Sequence, residues 1–177
     1  MDLRICFVGA VMATASLAVG QNAQNVSSQS SSSWTYDSKA GQISGATTGA
    51  KRQAANEIVA LELAEYRAWN NHDLQGVLAV YWNSPDLVSI AGDEPEVHGF
   101  EALQNALLTT YADPNTMGRI DLDTLRVQVI SNDSACCVAS YVVHTANHVY
   151  YCDDTATLKH WPEGWKIVFE RAAIVTH

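Results

Sequence analysis

Alternating apolar and polar positions dominate the C-terminal part of the chain, from Ser134 to Thr176. Successive residues of a β-strand point to opposite faces of a sheet, so a period of two predicts half-buried strands. Turn residues interrupt the alternation twice, at residues 146–147 and again at residues 161–164, where Pro and Gly occur. The pattern therefore predicts three consecutive antiparallel strands.

The two turns also predict which residues pair across these strands. A tight first turn places Tyr141 opposite Cys152, and the second turn places Asp154 opposite Arg171 on the apolar face. Because an unpaired buried charge is costly, we expect Asp154 and Arg171 to form a salt bridge. The pair either satisfies only itself or borders a cavity, where Arg171 would keep Asp154 ionised. The rest of this face consists of Cys137, Ala139, Tyr141, Tyr150, Cys152, Ala156, Leu158, Trp165, Ile167 and Phe169.

Helical periodicity marks three segments that precede these three antiparallel strands. The first contains no Pro and many good helix formers, and Asp73 is a candidate N-cap for the second. The predicted order is a helix at residues 50–70, a helix at 74–82, a short strand at 87–90, a helix at 100–111 and a strand at 120–130. This order predicts an α+β fold with three N-terminal helices packed on a strongly curved, mostly antiparallel sheet.

Carboxylates interrupt the apolar side of the first helix. On a helical wheel one arc holds Ile58, Leu61, Ala68 and Trp69 together with Glu62, Glu65 and His72. A solvated edge or a salt bridge would explain these polar residues structurally. The alternative is that Glu65 points into a cavity, where desolvation would raise its pKa toward a value useful for an acid or a base.

The length of 177 residues and the hydrophobic content of 47% fit one well-buried domain, predicted at residues 50–177. The formal net charge of −9 argues against a nucleic-acid partner, because binding phosphates requires clustered Lys and Arg. Residues 1–20 resemble a secretory signal peptide, which predicts a secreted or periplasmic protein. Residues 21–49 are rich in Ser, Gln and Gly and predict a flexible tether, on which Trp34 and Tyr36 are candidates to dock on the domain.

The cysteines and histidines do not predict a disulfide or a metal site. Cys136 and Cys137 point to opposite faces, and Cys152 lies on the order of 13 Å along the ladder from Cys137, so we expect unbridged, mostly buried thiols. The predicted turn sends His144 and His148 to opposite faces. We therefore expect no metal and no cofactor.

Several motifs resemble the SnoaL-like branch of the nuclear-transport-factor-2-like (NTF2-like) superfamily, which includes ketosteroid isomerases. The matching residues are Ala68-Trp69-Asn70-Asn71-His72-Asp73, Val80-Tyr81-Trp82, Asp86-Leu87-Val88-Ser89-Ile90, Glu96-Val97-His98-Gly99-Phe100-Glu101-Ala102-Leu103 and Gly164-Trp165-Lys166-Ile167-Val168. The resemblance spans about residues 56–176 and implies a cone-shaped fold around a pocket. It is specific for the fold more than for the chemistry.

Within this resemblance, the catalytic positions of ketosteroid isomerases can be located residue by residue. Those enzymes use a Tyr on helix 1, an Asp base after the first strand and a protonated Asp in the sheet. The helical Tyr falls at Glu65 or Tyr66, the base near Ser89 or Ile90, where there is no carboxylate, and the sheet Asp near Asp154. Many SnoaL-like domains also end in His-x-His-x-Ser, and here those places hold Phe169, Arg171 and Ala173.

Three functional hypotheses follow. The first is an exported domain whose pocket binds a small, largely apolar or aromatic molecule. The second is a metal-independent acid–base enzyme of the isomerase, cyclase or hydrolase type that uses Glu65 and Asp154. The third is a dimerising module without a ligand, in which a homodimer forms through the outer sheet face of Val138, Val142, Val149 and Tyr151. The pocket residues assigned on this basis are Trp69, His72, Tyr141, Tyr150, Phe169 and Arg171.

Overall fold

A computed structural model describes residues 33–45 and 49–175, which form three α-helices, a short 3₁₀ helix and one eight-stranded sheet. The strands are β1 (Ser33–Asp37), β2 (Gln42–Gly45), β3 (Val88–Ala91), β4 (Val97–His98), β5 (Arg119–Val129), β6 (Ser134–His144), β7 (Val149–Trp161) and β8 (Gly164–Ile174). The helices are α1 (Ala50–Asn70), α2 (Leu74–Leu78) and α3 (Phe100–Thr110), and the 3₁₀ helix is Pro114–Thr116. The predicted signal peptide and the first part of the predicted tether lie outside the described residues.

The sheet has the strand order β2-β1-β5-β6-β7-β8-β3-β4. All neighbouring pairs are antiparallel except β3 and β8, which are parallel. The predicted α+β fold with a mostly antiparallel sheet is therefore confirmed. The helices are not strictly N-terminal, since the β1–β2 hairpin precedes α1.

The β1–β2 hairpin corrects the prediction that all of residues 21–49 form a flexible tether. Residues 33–45 are ordered into two strands, and β1 pairs with β5 at the edge of the sheet. Trp34 anchors the hairpin because it is 1% exposed and lies against Gly45, where an added Cβ would come within 2.2 Å of the indole. One large buried side chain thus orders a segment whose average composition is polar.

Helix α1 has the predicted bounds, and its last turn is tied to the start of β5. Asn70 accepts a hydrogen bond from the Ile120 N–H (2.7 Å) and donates one to the Ile120 carbonyl oxygen (2.8 Å). The Trp69 indole donates to the Met117 carbonyl oxygen at 3.1 Å. These contacts fix the end of α1 over the sheet, which positions Glu65 one turn earlier.

The connection between α1 and α2 turns sharply at His72. His72 has a φ of 56°, and the Asp73 N–H reaches back to the Ala68 carbonyl oxygen at 2.9 Å, a helix-ending pattern that requires a left-handed residue. Asp73 then caps α2 by accepting a hydrogen bond from the Gly76 N–H, as predicted. The second helix is shorter than predicted, since it ends at Leu78.

The β6–β7 hairpin has the predicted register along its whole length. Tyr141 lies opposite Cys152, and Ala139 lies opposite Asp154. The inward-facing residues of the two strands, such as Ala139 and Cys152, are buried. The predicted apolar face of β6 and β7 therefore lies toward the helices. Cys136, Cys137 and Cys152 form no disulfide with one another.

The β7–β8 hairpin departs from the predicted register at a β-bulge. Leu158 lies opposite Ile167 as predicted, but Thr157 lies opposite Phe169, so Val168 is an extra residue on β8. From there to the end of the strand every pairing moves by one residue. Asp154 consequently lies opposite Ala172, and the predicted pairing of Asp154 with Arg171 is wrong.

The bulge exchanges the two faces of β8. Arg171 lies opposite the exposed Thr155 and is itself exposed, whereas Glu170 lies opposite the buried Ala156. A shift of one residue moves every following side chain to the other face. The inward-facing charged residue of β8 is therefore an acid instead of a base.

Candidate functional site

A cavity of about 110 Å³ lies between α1, α3 and the inner face of the sheet. Aromatic and aliphatic side chains form most of its wall, and carboxyl and hydroxyl groups form the rest. The apolar part of the wall includes Tyr66, Trp69, Leu103, Leu107, Tyr111, Tyr141 and Val143. The polar part includes Glu65, Tyr81, Ser89, Asp154 and Glu170.

The carboxyl groups reach the cavity from three separate elements. Glu65 comes from α1, Asp154 from β7 and Glu170 from β8. A fourth carboxyl, that of Glu62 one turn before Glu65, is 1% exposed and interacts with the thiol of Cys137. These four residues are called the carboxyl cluster below.

Tyr81 links two members of the carboxyl cluster. It follows α2 and forms an isolated parallel bridge with Ile167, which directs its side chain toward the sheet. Its hydroxyl oxygen lies 2.9 Å from Glu65 Oε1 and 2.7 Å from Glu170 Oε2. The Ser89 hydroxyl also donates to Glu170 Oε2, at 3.4 Å. Glu65 and Glu170 are thus held together around one phenol.

The Tyr81 hydroxyl has a single hydrogen, which limits the protonation states that Glu65 and Glu170 can adopt. A phenol donates one hydrogen bond, and an ionised carboxylate can only accept. Both short contacts are hydrogen bonds only when Glu65 or Glu170 carries a proton and donates it to the Tyr81 oxygen. The geometry therefore favours one shared proton on this pair.

Burial raises the pKa of every member of the carboxyl cluster, and repulsion from Glu170 adds to the shift of the other three. Desolvation, followed by the charge of Glu170, raises the pKa of Glu62 to about 8. The same two causes raise the pKa values of Glu65 and Asp154 well above the ordinary range of a carboxyl group. Burial also raises the pKa of Glu170, although hydrogen bonds from Tyr81 and Ser89 oppose the shift.

Two oxygens of the carboxyl cluster have no hydrogen-bond partner. These are Glu62 Oε1 and Asp154 Oδ1. None of the described residues that line the cavity is Lys, Arg or His, so no protein cation offsets the carboxyl groups there. Buried polar atoms without partners are rare in native proteins and call for a functional explanation.

The structure places half of the sequence-predicted site residues at the cavity, namely both catalytic candidates and two of the six pocket residues. Glu65, Asp154, Trp69 and Tyr141 line it. Their proposed roles remain predictions.

The remaining assigned residues lie elsewhere. His72 is exposed, because α1 ends at Asn70 and the helical wheel does not extend to it. Phe169 and Arg171 leave the inner face because of the bulge at Val168. Tyr150 packs against the core and stacks on His148 with a centroid distance of 5.7 Å, and it is not among the lining residues.

Sequence reasoning missed Glu170 and Tyr81. Two consecutive apolar residues, Val168 and Phe169, break the alternation of β8, and this was the signal available for the bulge. Tyr81 was missed because the sequence predicts a second helix through Trp82, whereas the helix ends at Leu78. The resemblance places the base of ketosteroid isomerases near Ser89, which lines the cavity but has a hydroxyl group in place of a carboxylate.

Comparison with solved structures shows that the fold is NTF2-like. An NTF2-like protein of unknown function from Shewanella oneidensis MR-1 is 20% identical, covers 67% of this chain and 98% of its own, and has a TM-score of 0.63. An NTF2-like protein of unknown function from Pseudomonas putida KT2440 is 17% identical, covers 71% and 89%, and has a TM-score of 0.62. A ketosteroid isomerase-like protein from Erwinia carotovora atroseptica is 18% identical, covers 69% and 96%, and has a TM-score of 0.57.

The sequence itself matches no model of a protein family and no curated protein. Within the described residues, no helix is long and apolar enough to cross a membrane. In the same part of the chain, no group of three or more His, Cys, Asp or Glu residues is arranged to hold a metal ion.

Proposed function

We propose that this domain binds a small organic molecule in the cavity, with an apolar body against the aromatic wall and a polar end at the carboxyl cluster. The observation that carries the proposal is a cavity of about 110 Å³ whose wall is apolar except for a few converging polar groups. Ligand sites typically have this composition. A dry cavity of roughly 150 Å³ binds benzene, so an enclosed part of about five heavy atoms fits here.

A cavity-filling variant tests this proposal. Ala172 lines the cavity, and Ala172→Leu would occupy part of its volume. Small alcohols, ketones, amines and aromatic compounds are screened for an increase in melting temperature, since a ligand of the folded state stabilises it. We expect hits that lose their effect in Ala172→Leu and keep it in Ala112→Leu, a change at an exposed site. If no compound raises the melting temperature, or if Ala172→Leu responds as the parent does, the proposal fails.

A second candidate function, acid–base catalysis, is favoured by the contact of Tyr81 with two carboxyl groups. The protonated member of the Glu65–Glu170 pair would donate its proton to a ligand atom, such as a carbonyl oxygen. Asp154, when ionised, would accept a proton from a neighbouring carbon through Oδ1, which has no partner in the protein. One proton enters the ligand and one leaves it, so the net change is an isomerisation.

This second candidate requires turnover in addition to binding. Ketones found by the screen are incubated with the protein in D₂O, and exchange at the carbon next to the carbonyl is followed by NMR. We expect Glu65→Gln to abolish exchange while binding persists, and Glu57→Gln, at an exposed site on the same helix, to have no effect. Equal exchange rates in Glu65→Gln and the parent would remove Glu65 from the mechanism.

Two further properties belong to the proposal. The pattern of residues 1–20 supports export to a secreted or periplasmic location. Val149 (52% exposed) and Tyr151 (50% exposed) support a homodimer through the outer sheet face. Mass spectrometry of protein recovered from a secreting host tests for cleavage near Gly20. Light scattering at high concentration tests for the dimer, and a monomer there would contradict it.

A further inference from the structure

The charges around the cavity are of one sign. Glu65, Asp154 and Glu170 line it, and no Lys, Arg or His is among its described lining residues. Arg171, the cation next to Glu170 in sequence, is turned to the outer face by the β-bulge. The protein itself therefore supplies no positive partner for these carboxyl groups at the cavity.

Asp154 provides a second, independent observation. Its side chain lines the cavity and the residue is 7% exposed, yet Oδ1 has no hydrogen-bond partner. In the neighbouring pair, Tyr81 contacts one oxygen of each carboxyl group, Oε1 of Glu65 and Oε2 of Glu170. Three carboxyl groups thus line one small space.

The wall next to these groups is rich in aromatic rings. Tyr66 and Tyr141 have a centroid distance of 5.8 Å, and Trp69 packs edge-on against Tyr111 with a centroid distance of 5.0 Å. All four residues line the cavity. Aromatic faces attract cations through their quadrupole, and the attraction strengthens where water is excluded.

We propose that the polar end of the ligand is a cation, specifically the ammonium group of a small primary amine. A primary ammonium has three N–H donors, which match the three carboxyl groups contributed by Glu65, Asp154 and Glu170. Its short carbon chain lies against the aromatic wall. This inference rests on the proposed function of the cavity as a ligand site and names the class of that ligand.

Binding of an amine is coupled to release of protons. Burial raises the pKa values of all four members of the carboxyl cluster, so the cluster retains protons at pH values where exposed carboxyl groups are ionised. A bound cation favours the ionised carboxylates and therefore expels protons. The other titratable groups that face the cluster stay neutral: burial raises the pKa values of Tyr66, Tyr81 and Cys137. Three more, Tyr111, Tyr141 and Cys152, line the cavity.

The sign of the pH dependence follows from this coupling. Raising the pH ionises carboxyl groups before the amine binds, so fewer protons must leave and the affinity increases. An alkylammonium has a pKa close to that of Lys, about 10.4, so it remains charged throughout this range. The affinity for the amine should therefore rise from about pH 6 to about pH 8.

Calorimetric titration with three compounds of matched size tests the inference. The probes are n-butylamine, 1-butanol and sodium butyrate, in phosphate and in HEPES, whose ionisation heats differ; Tris is avoided because it is a primary amine. We expect butylammonium to bind at least about tenfold more tightly than 1-butanol, to release protons on binding, and to bind more tightly at higher pH. Butyrate should bind least.

The variants separate this inference from the proposed function. Asp154→Asn should lose about tenfold or more in amine affinity, whereas Asp153→Asn, on the exposed face of the same strand, should bind as the parent does. If Asp154→Asn does not fold, the probe order and proton release of the parent still decide. Binding of 1-butanol at least as tight as that of butylammonium would overturn the amine and leave the ligand pocket standing. If no probe binds and no compound in the thermal screen raises the melting temperature, the proposed function is contradicted too.

Discussion

The two faces of strands β7 and β8 carry similar residues in opposite environments. On the outer face Asp153 is exposed and accepts a hydrogen bond from the Ser140 hydroxyl at 2.7 Å. On the inner face its neighbour Asp154 is buried, and one of its oxygens has no partner. The next strand repeats the contrast, with Arg171 facing outward and Glu170 facing the cavity.

The contrast shows that position in the ladder, more than residue type, determines the chemistry of a carboxyl group. Asp153 is exposed and hydrogen-bonded to Ser140, whereas burial and the charge of Glu170 raise the pKa of Asp154 well above its ordinary range. The extra residue Val168 determines which charged residue of β8 faces the cavity. Glu62 and Tyr81 are inner residues with a matched residue at an exposed site, whereas Arg171 is an outer residue whose position depends on the bulge.

The largest effect is expected for Glu62→Gln. Glu62 has a pKa of about 8 in the folded protein, against an ordinary value of 4.5. Between these values the folded state binds more protons than the unfolded state, so the free energy of unfolding falls as pH rises. The variant should lack this loss and gain about 2–4 kcal/mol relative to the parent between pH 5 and pH 8.

Urea unfolding at several pH values measures this gain. Glu57→Gln is the matched control, because Glu57 is an exposed carboxylate on the same helix. It should show the same pH dependence as the parent. A parent protein whose stability rises steadily from pH 5 to pH 8 would contradict the raised pKa of Glu62.

A smaller effect is expected for Tyr81→Phe, compared with Tyr151→Phe on the outer face. Removing the Tyr81 hydroxyl takes a hydrogen-bond partner from both Glu65 and Glu170. Loss of such a partner costs about 1–3 kcal/mol, and the pKa of Glu170 should rise further, because the bond lowers it. Tyr151 is half exposed, so Tyr151→Phe should cost much less. Equal losses of stability in the two variants would argue against the bridging role.

The smallest effect is expected for Arg171→Ala. Arg171 is exposed and faces away from Asp154, so the free energy of unfolding should change by no more than about 0.5 kcal/mol. In the register without the bulge, Arg171→Ala would leave a buried acid without its partner, and the free energy of unfolding would fall by about 3–5 kcal/mol. Lys159→Ala, another exposed cation of the same hairpin, gives the reference value.

The sequence predicts the fold well where one periodicity persists. Helix α1 has its predicted bounds, and the β6–β7 register was predicted from a single turn. Both segments have a regular pattern and clear ends, so local rules suffice. The same rules identified Glu65 and Asp154 as polar residues on buried faces, and both line the cavity.

The site was predicted less well because it depends on irregular backbone. The bulge at Val168 and the left-handed His72 each change where the following side chains point. Tertiary contacts stabilise these irregular backbone conformations, and the periodicity of a sequence does not show such contacts. The ordered hairpin at residues 33–45 depends in the same way on the burial of one residue, Trp34.

The proposed chemistry depends on the raised pKa values of the carboxyl groups on the inner face of this domain. A ¹³C NMR titration of the side-chain carboxyls in the parent protein tests it most directly, with Glu62→Gln and Asp154→Asn to assign the signals. We expect Glu62 to titrate near pH 8 and Asp154 to remain protonated well above the ordinary range of a carboxyl group. If every carboxyl in the protein titrates below about pH 5, as unperturbed Asp and Glu do, the claim is contradicted.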